Sequence, residues 1–260
     1  MKFIRLLILG LVLLGSVSGC ATRPTNPEDL AVYQQNNDPL EPMNRAIFRF
    51  NNVADEYVMA PAVKGYRSVL PETARECVGN FFSNLKQPLY FINAVLQGDF
   101  KSAATITGRF ALNTVFGFFG VVDTASANEV PVIRRDFGQT LAVWGIKNSG
   151  PYLMLPLLGP STVRDTAGLV VDAFADPVDW VLYDQSPWLA YGRGVVDGFL
   201  GLERAHDLMD DMKKNSTDYY ATMRSMYQQN RKKEIAVLRG EKEEMKAEYD
   251  FDFPDDEDEE

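Results

Sequence analysis

His206 is the only imidazole in the chain, so a histidine-based acid–base or metal site would have to be built around it. It falls on a helical stripe with Met209 and Met212, which reads as a core or surface histidine. Asp210 and Asp211 are adjacent, so on a helix they point apart and cannot share a proton. No G-x-S-x-G elbow, phosphate-binding loop or metal-spaced cysteine pair occurs. Gly192 to Gly198 approaches dinucleotide-loop spacing, but its last glycine comes one place late and no strand precedes it. These residues describe a protein that binds or conducts something. No enzyme activity, cofactor or metal is expected.

The two cysteines have different settings. Lys2 and Arg5, the apolar run Leu6 to Leu14, and Val17-Ser18-Gly19 precede Cys20. This is the plan of a secretory signal, residues 1–19, and small residues directly before a cysteine resemble a lipoprotein cleavage site. Cys20 is then the lipidated N-terminus, and Ala21 in the next place implies sorting to the outer membrane. Two or more acyl chains suffice for stable anchoring. Cys77 has no partner left for a disulfide and is expected as a small buried hydrophobe.

Charge is concentrated at one end. Without Lys2 and Arg5, 24 basic residues face 36 acidic ones, and nine of the acids lie in residues 248–260. That segment reads as a solvated, disordered tail. The body is near neutral, which argues against a nucleic-acid surface. Residues 20–37 are polar and proline-bearing, a flexible tether. Residues 38–247 form one helical domain. No mature segment holds the ~18 uninterrupted apolar residues of a membrane-spanning helix.

The chain in order reads as short helices with wide apolar arcs. Asp38 is expected to cap the first, with Pro39 next and Glu41 three residues on. Met43, Ala46, Ile47, Phe50, Val53, Ala54 and Tyr57 define its expected buried face, opposite Asn44, Arg45, Phe48, Asn51 and Asn52. Ala60-Pro61 is expected to break it. Further helices start at Pro71 and Pro88, and Gly98 and Asp99 close one and open the next. Val115 to Val122 carries three phenylalanines between glycines, either core or an apolar patch needing a partner. Trp180, Tyr183 and Trp188 cluster near Pro187. One long helix spans Tyr191 to Met212, with Val195, Phe199, Leu202, His206, Met209 and Met212 on a face. Ser216 is expected to cap the last helix.

The central stretch is Gly145 to Pro177. Two Gly-Pro pairs bracket an apolar run, Pro151-Tyr152-Leu153-Met154-Leu155-Pro156 and onward. The prolines exclude a regular helix and argue against a central strand, so an apolar loop is expected. Such a loop must pack on protein, face lipid or line a cavity. Thr162 then caps the amide of Asp165, with Asp165 reaching back, and Val163, Ala167, Val170, Val171 and Phe174 share a helical face. Asp176-Pro177 ends that helix.

Four segments in order resemble the MlaA (VacJ) lipoproteins. They are Asp38-Pro39-Leu40-Glu41 with Asn44-Arg45, then Gln97-Gly98-Asp99 with Asn113, then Asp136 to Leu141, then Gly150-Pro151-Tyr152 through Arg164-Asp165. The match covers about residues 38–205. The resemblance implies an all-α, ring-like arrangement of short amphipathic helices in the inner leaflet of the Gram-negative outer membrane, around a central amphipathic channel. It implies retrieval of phospholipids from the outer leaflet, association with a trimeric porin, and delivery to the periplasmic carrier MlaC. Gly145 and Gly150 are then hinges of a gating loop reaching Pro156. Arg164 and Asp165 stand either at the channel mouth, Arg164 meeting a phosphate, or as an ordinary cap and ion pair. A structural lipoprotein bracing a porin, and a membrane-attached phospholipase, are the alternatives.

Overall fold

The computed structural model describes residues 24–26, 30, 33 and 36–240. The signal, Cys20 and the acidic tail lie outside the described residues. Helix α1 (Glu41–Ala54) runs through a π-helical turn (Asp55–Met59) into α2 (Ala60–Val69). Then come α3 (Glu72–Leu85), α4 (Gln87–Leu96), α5 (Phe100–Val115), the short α6 (Thr124–Ala127) and α7 (Phe137–Val143). Strands β1 (Tyr152–Leu155) and β2 (Gly159–Thr162) lead to α8 (Val163–Ala175), α9 (Pro177–Gln185), α10 (Pro187–Asn215) and α11 (Tyr219–Arg239).

The elements touch in a closed circuit. It passes from α1 through α2, α10, α9, α4, α7 and α8 to β2 and β1, and back to α1. Helix α11 joins it at α7, β2 and α10. No described helix is long and apolar enough to cross a membrane.

Several helix ends follow from local chemistry. Gly98 adopts φ +71 after α4, and the Asp99 carboxylate accepts the Ser102 amide at the start of α5. Thr162 accepts the Asp165 amide, and Asp176 ends α8 and caps α9. Three expected boundaries are corrected. Pro61 does not break the first helix. The π turn before it bonds the Ala60 amide to the Asp55 carbonyl, so the chain enters Pro61 still helical. Asp38 caps nothing: α1 starts at Glu41 with Leu40 before it. Asp218, not Ser216, caps α11.

The larger correction concerns sidedness. On α1, Asn44 and Phe48 are buried, while Phe50, Val53 and Tyr57 of the expected core face are 54%, 55% and 73% exposed. On α5 the buried stripe is Ser102, Ile106, Arg109 and Asn113, and Phe100 and Val115 face outward. On α8, Arg164, Asp165 and Gly168 are inside, whereas Val163, Val170 and Phe174 are outside. On α10, Arg193, Leu200 and Glu203 are buried and Val195 is exposed. Cys77 is half-buried rather than core. Among the described residues, buried polar and charged side chains outnumber buried apolar ones. Such an interior survives because most of its polar side chains are paired, although single atoms such as the Tyr152 hydroxyl and the Gln87 Oε1 have no partner among the described residues.

Candidate lipid-handling site

The expected apolar loop is a β-hairpin. β1 and β2 pair antiparallel, with Met154 opposite Pro160 and Tyr152 opposite Thr162. Prolines are admitted because a two-stranded sheet has only edge strands. Tyr152 and Met154 point inward and pack with Phe48 and Tyr220. Leu153 and Leu155 are half-buried, and Pro156 follows β1 at the exposed turn. At the tip, Leu157 takes φ +63, and Leu157 and Leu158 are 52% and 67% exposed.

The hairpin's outer edge is held by asparagines, not by another strand. Asn37 donates to the Gly150 carbonyl at 2.7 Å, and its own carbonyl accepts the Tyr152 amide. Asn44, fully buried, donates to the Tyr152 carbonyl and accepts the Met154 amide. Asn51 donates to the Leu155 carbonyl and accepts the Leu157 amide.

Beneath the hairpin lie two charged clusters built on α11. Asp38 accepts from Asn44, the Tyr220 hydroxyl and Arg224. Asp165 accepts from Arg164, Arg231 and the Tyr227 hydroxyl, and Arg231 also pairs with Asp136. Burial works against ionisation of Asp165, but Arg231, Tyr227 and Arg164 outweigh it and hold the carboxyl below its usual range. Asp172 is pushed the other way: burial outweighs the Phe137 amide and Asn93 and raises it.

The other motif residues are likewise spent on internal bonds. Arg45 pairs with Glu41 and Asp218. Gln97 donates to Thr140 and to the Asp136 carbonyl. Asp99 pairs with Arg135. Asn113 holds Asp123 and the Ala125 amide, and Arg109 pairs with Asp123 beside them. Pro39 and Leu40 form the turn before α1. Arg164 is 6% exposed and bonded to Asp165. Gly145 and Gly150 both have positive φ, +108 and +71. An open groove of about 440 Å³ follows one face of α11, with Thr222, Ser225, Met226 and Gln229 in its lining. Gly145 to Pro156, Arg164 and Asp165 are not among its lining residues.

Parts of the surface are apolar and aromatic. Phe116, Phe118 and Phe119 stand 69–77% exposed on a turn where both Phe118 and Phe119 have positive φ. Trp180, Tyr183 and Trp188 are also exposed, at 62%, 55% and 80%. The phenylalanine turn is therefore a patch, not core. The turn is fixed from behind by Asn84, which donates to Thr114 and the Phe119 carbonyl. No group of residues able to hold a metal occurs among the described residues. His206, on α10, is half-buried.

The described chain closes a circuit of helices and one hairpin that buries many polar side chains and exposes many aromatic ones, the division expected of a protein that meets an apolar partner. The MlaA lipoprotein family model matches residues 36–234. The chain belongs to the MlaA lipoprotein family. It is 36% identical over 223 residues to the intermembrane phospholipid transport system lipoprotein MlaA of Haemophilus influenzae, spanning 83% of this chain and 84% of that protein. Its identity to the Escherichia coli protein of the same name is 34% over 215 residues, 80% of each chain. A solved chain from work on the structural basis for maintenance of bacterial outer membrane lipid asymmetry superposes with TM-score 0.64 at 35% identity, covering 74% of this chain and 96% of that one.

Proposed function

We propose that this chain is a lipoprotein of the outer membrane that removes phospholipids from the outer leaflet and passes them inward, so maintaining lipid asymmetry. The observation that carries the reading is the reversed sidedness of α1: Asn44 is fully buried while Phe50 and Tyr57 face outward. A helix so oriented stabilises a body immersed in acyl chains and keeps polar groups for the inside of the circuit. Phospholipid transfer needs that division, an apolar surface for tails beside a polar lane for headgroups. The relatives named as phospholipid transport lipoproteins support it.

Within this reading Cys20 carries the acyl anchor, the exposed aromatics rest in the inner leaflet, and the body faces the periplasm. A trimeric porin is the partner within the membrane, and the periplasmic carrier MlaC receives the lipid. The segment Gly145 to Asn148, exposed and followed by the positive-φ Gly150, is the flexible part of the gate. Arg164, already paired with Asp165, serves the architecture and leaves the lipid's phosphate to other groups. Transport requires no bond cleavage, so a variant His206→Ala retains function.

The test is lipid bound to the purified, lipidated protein and its transfer to an acceptor. Stoichiometric phospholipid, released intact to a carrier, supports the reading. Absence of both from well-folded protein overturns it and favours a structural role at the porin.

A further inference from the structure

We infer that Asn37, Asn44 and Asn51 act together as positioning residues for the lipid path: a ladder, with one rung on the turn before α1 and two on α1, that fixes the hairpin by gripping its backbone alone. The inference rests on the transport reading. The three asparagines recur at every seventh position. On the helix, from Asn44 to Asn51, seven residues rise about 10 Å at ~1.5 Å each. Three strand residues rise about the same distance at ~3.4 Å each. Asn44 therefore meets residues 152 and 154, and Asn51 meets 155 and 157, with no drift between helix and strand.

Each of the two helical asparagines presents one donor and one acceptor to the backbone, as a neighbouring strand would. They satisfy the open edge of β1 that would otherwise recruit another strand. They read no hairpin side chain, which leaves Leu157 and Leu158 free to face acyl chains. The positive φ of Leu157 is a backbone conformation that costs an L-residue energy, and Asn51 accepts its amide directly. The hairpin body is thus a fixed post. Movement of the gate belongs to Gly145–Asn148, upstream of the Asn37 contact.

The experiment uses the full lipidated protein in its membrane, with Cys77→Ser and a spin label on Leu158→Cys. Asn51→Ala is compared with Asn52→Ala, whose side chain makes no bond to the hairpin, and surface phospholipid is measured in the same cells. The ladder predicts a mobile label component in Asn51→Ala and not in Asn52→Ala. It also predicts a several-fold change in surface phospholipid at unchanged thermal stability of the helical body. A label equally immobile in both variants overturns the inference. So does a freed label with unaltered surface phospholipid. If deleting the whole gene leaves surface phospholipid unchanged, the transport reading fails instead, and the label alone still decides whether the ladder fixes the tip.

Discussion

Arg231 on the C-terminal helix meets Asp165 at the first turn of α8 at 2.9 Å, across 66 residues of chain. The same guanidinium holds Asp136 at the start of α7 at 2.6 Å. One side chain therefore pins α11 to the helix that leaves the hairpin and to the helix that precedes it. The chain beyond residue 205 is thereby part of the fold, not an appendage.

Arg231→Ala leaves two buried or half-buried carboxylates short of a partner. Loss of one member of a buried pair costs about 3–5 kcal/mol. Denaturant unfolding of the detergent-solubilised protein should show a drop of that order. Arg204→Ala, which loses a bond to the Gly79 carbonyl, should cost about 1 kcal/mol.

Acid should weaken the same junction. The folded Asp165 carboxyl lies below its ordinary value, so its contribution is fully present above the unfolded value of about 4 and is lost as pH falls through the lowered folded one. Asp172 is raised, so it opposes this: its ionised form disfavours the fold, and that cost disappears as pH falls through its raised value. Unfolding measured at pH 7, 5 and 3 should fall more steeply between 5 and 3 in wild type than in Asp165→Asn, which has no carboxyl there to protonate.

The helix ends that were legible are those decided within four residues; the ends expected at Asp38, Pro61 and Ser216 were not. Asp99 with Ser102 and Thr162 with Asp165 need no knowledge of the surroundings. Sidedness was not legible, and the reason is the solvent. Periodicity separates Phe50 and Tyr57 from Asn44, but which set turns inward depends on what lies outside, and under the proposed function that is lipid. The lipoprotein signal was the clue to that, and the resemblance to a membrane-embedded family stated it. The hairpin was hidden by its prolines, whose exclusion from sheets applies to interior strands. Its trace in the sequence was the seven-residue spacing of Asn37, Asn44 and Asn51, which a solvated helix face would show equally, so the pattern alone did not reveal the hairpin.

The two candidate hinges should separate under substitution. A Cβ on Gly150 would lie 2.9 Å from the Val163 Cβ, whereas one on Gly145 meets nothing within 4 Å. Both positions have positive φ, which costs a non-glycine residue about 1–2 kcal/mol. Gly150→Ala should lower the melting temperature clearly. Gly145→Ala should lower it less and still slow lipid transfer; normal transfer by Gly145→Ala would remove it from the gate.

The phenylalanine turn should govern contact with lipid and little else. Replacing Phe116, Phe118 and Phe119 by serine should change stability in detergent by only a few tenths of a kcal/mol per site, because all three are exposed. In protein freed of its acyl anchor by Cys20→Ala, each phenylalanine buried in a bilayer contributes about 1.5–3 kcal/mol. Flotation with phosphatidylethanolamine vesicles should therefore fall by at least tenfold in the triple variant. Equal flotation would mean that other surfaces carry the contact.

The most direct measurement is outer-leaflet phospholipid in cells with the gene, without it, and complemented by wild type or by Cys20→Ala. Retrieval from the outer membrane predicts that surface phospholipid rises on deletion and returns to its original level only with the anchored protein. Unchanged surface phospholipid in the deletion strain would contradict transport and favour a structural role, such as bracing a porin.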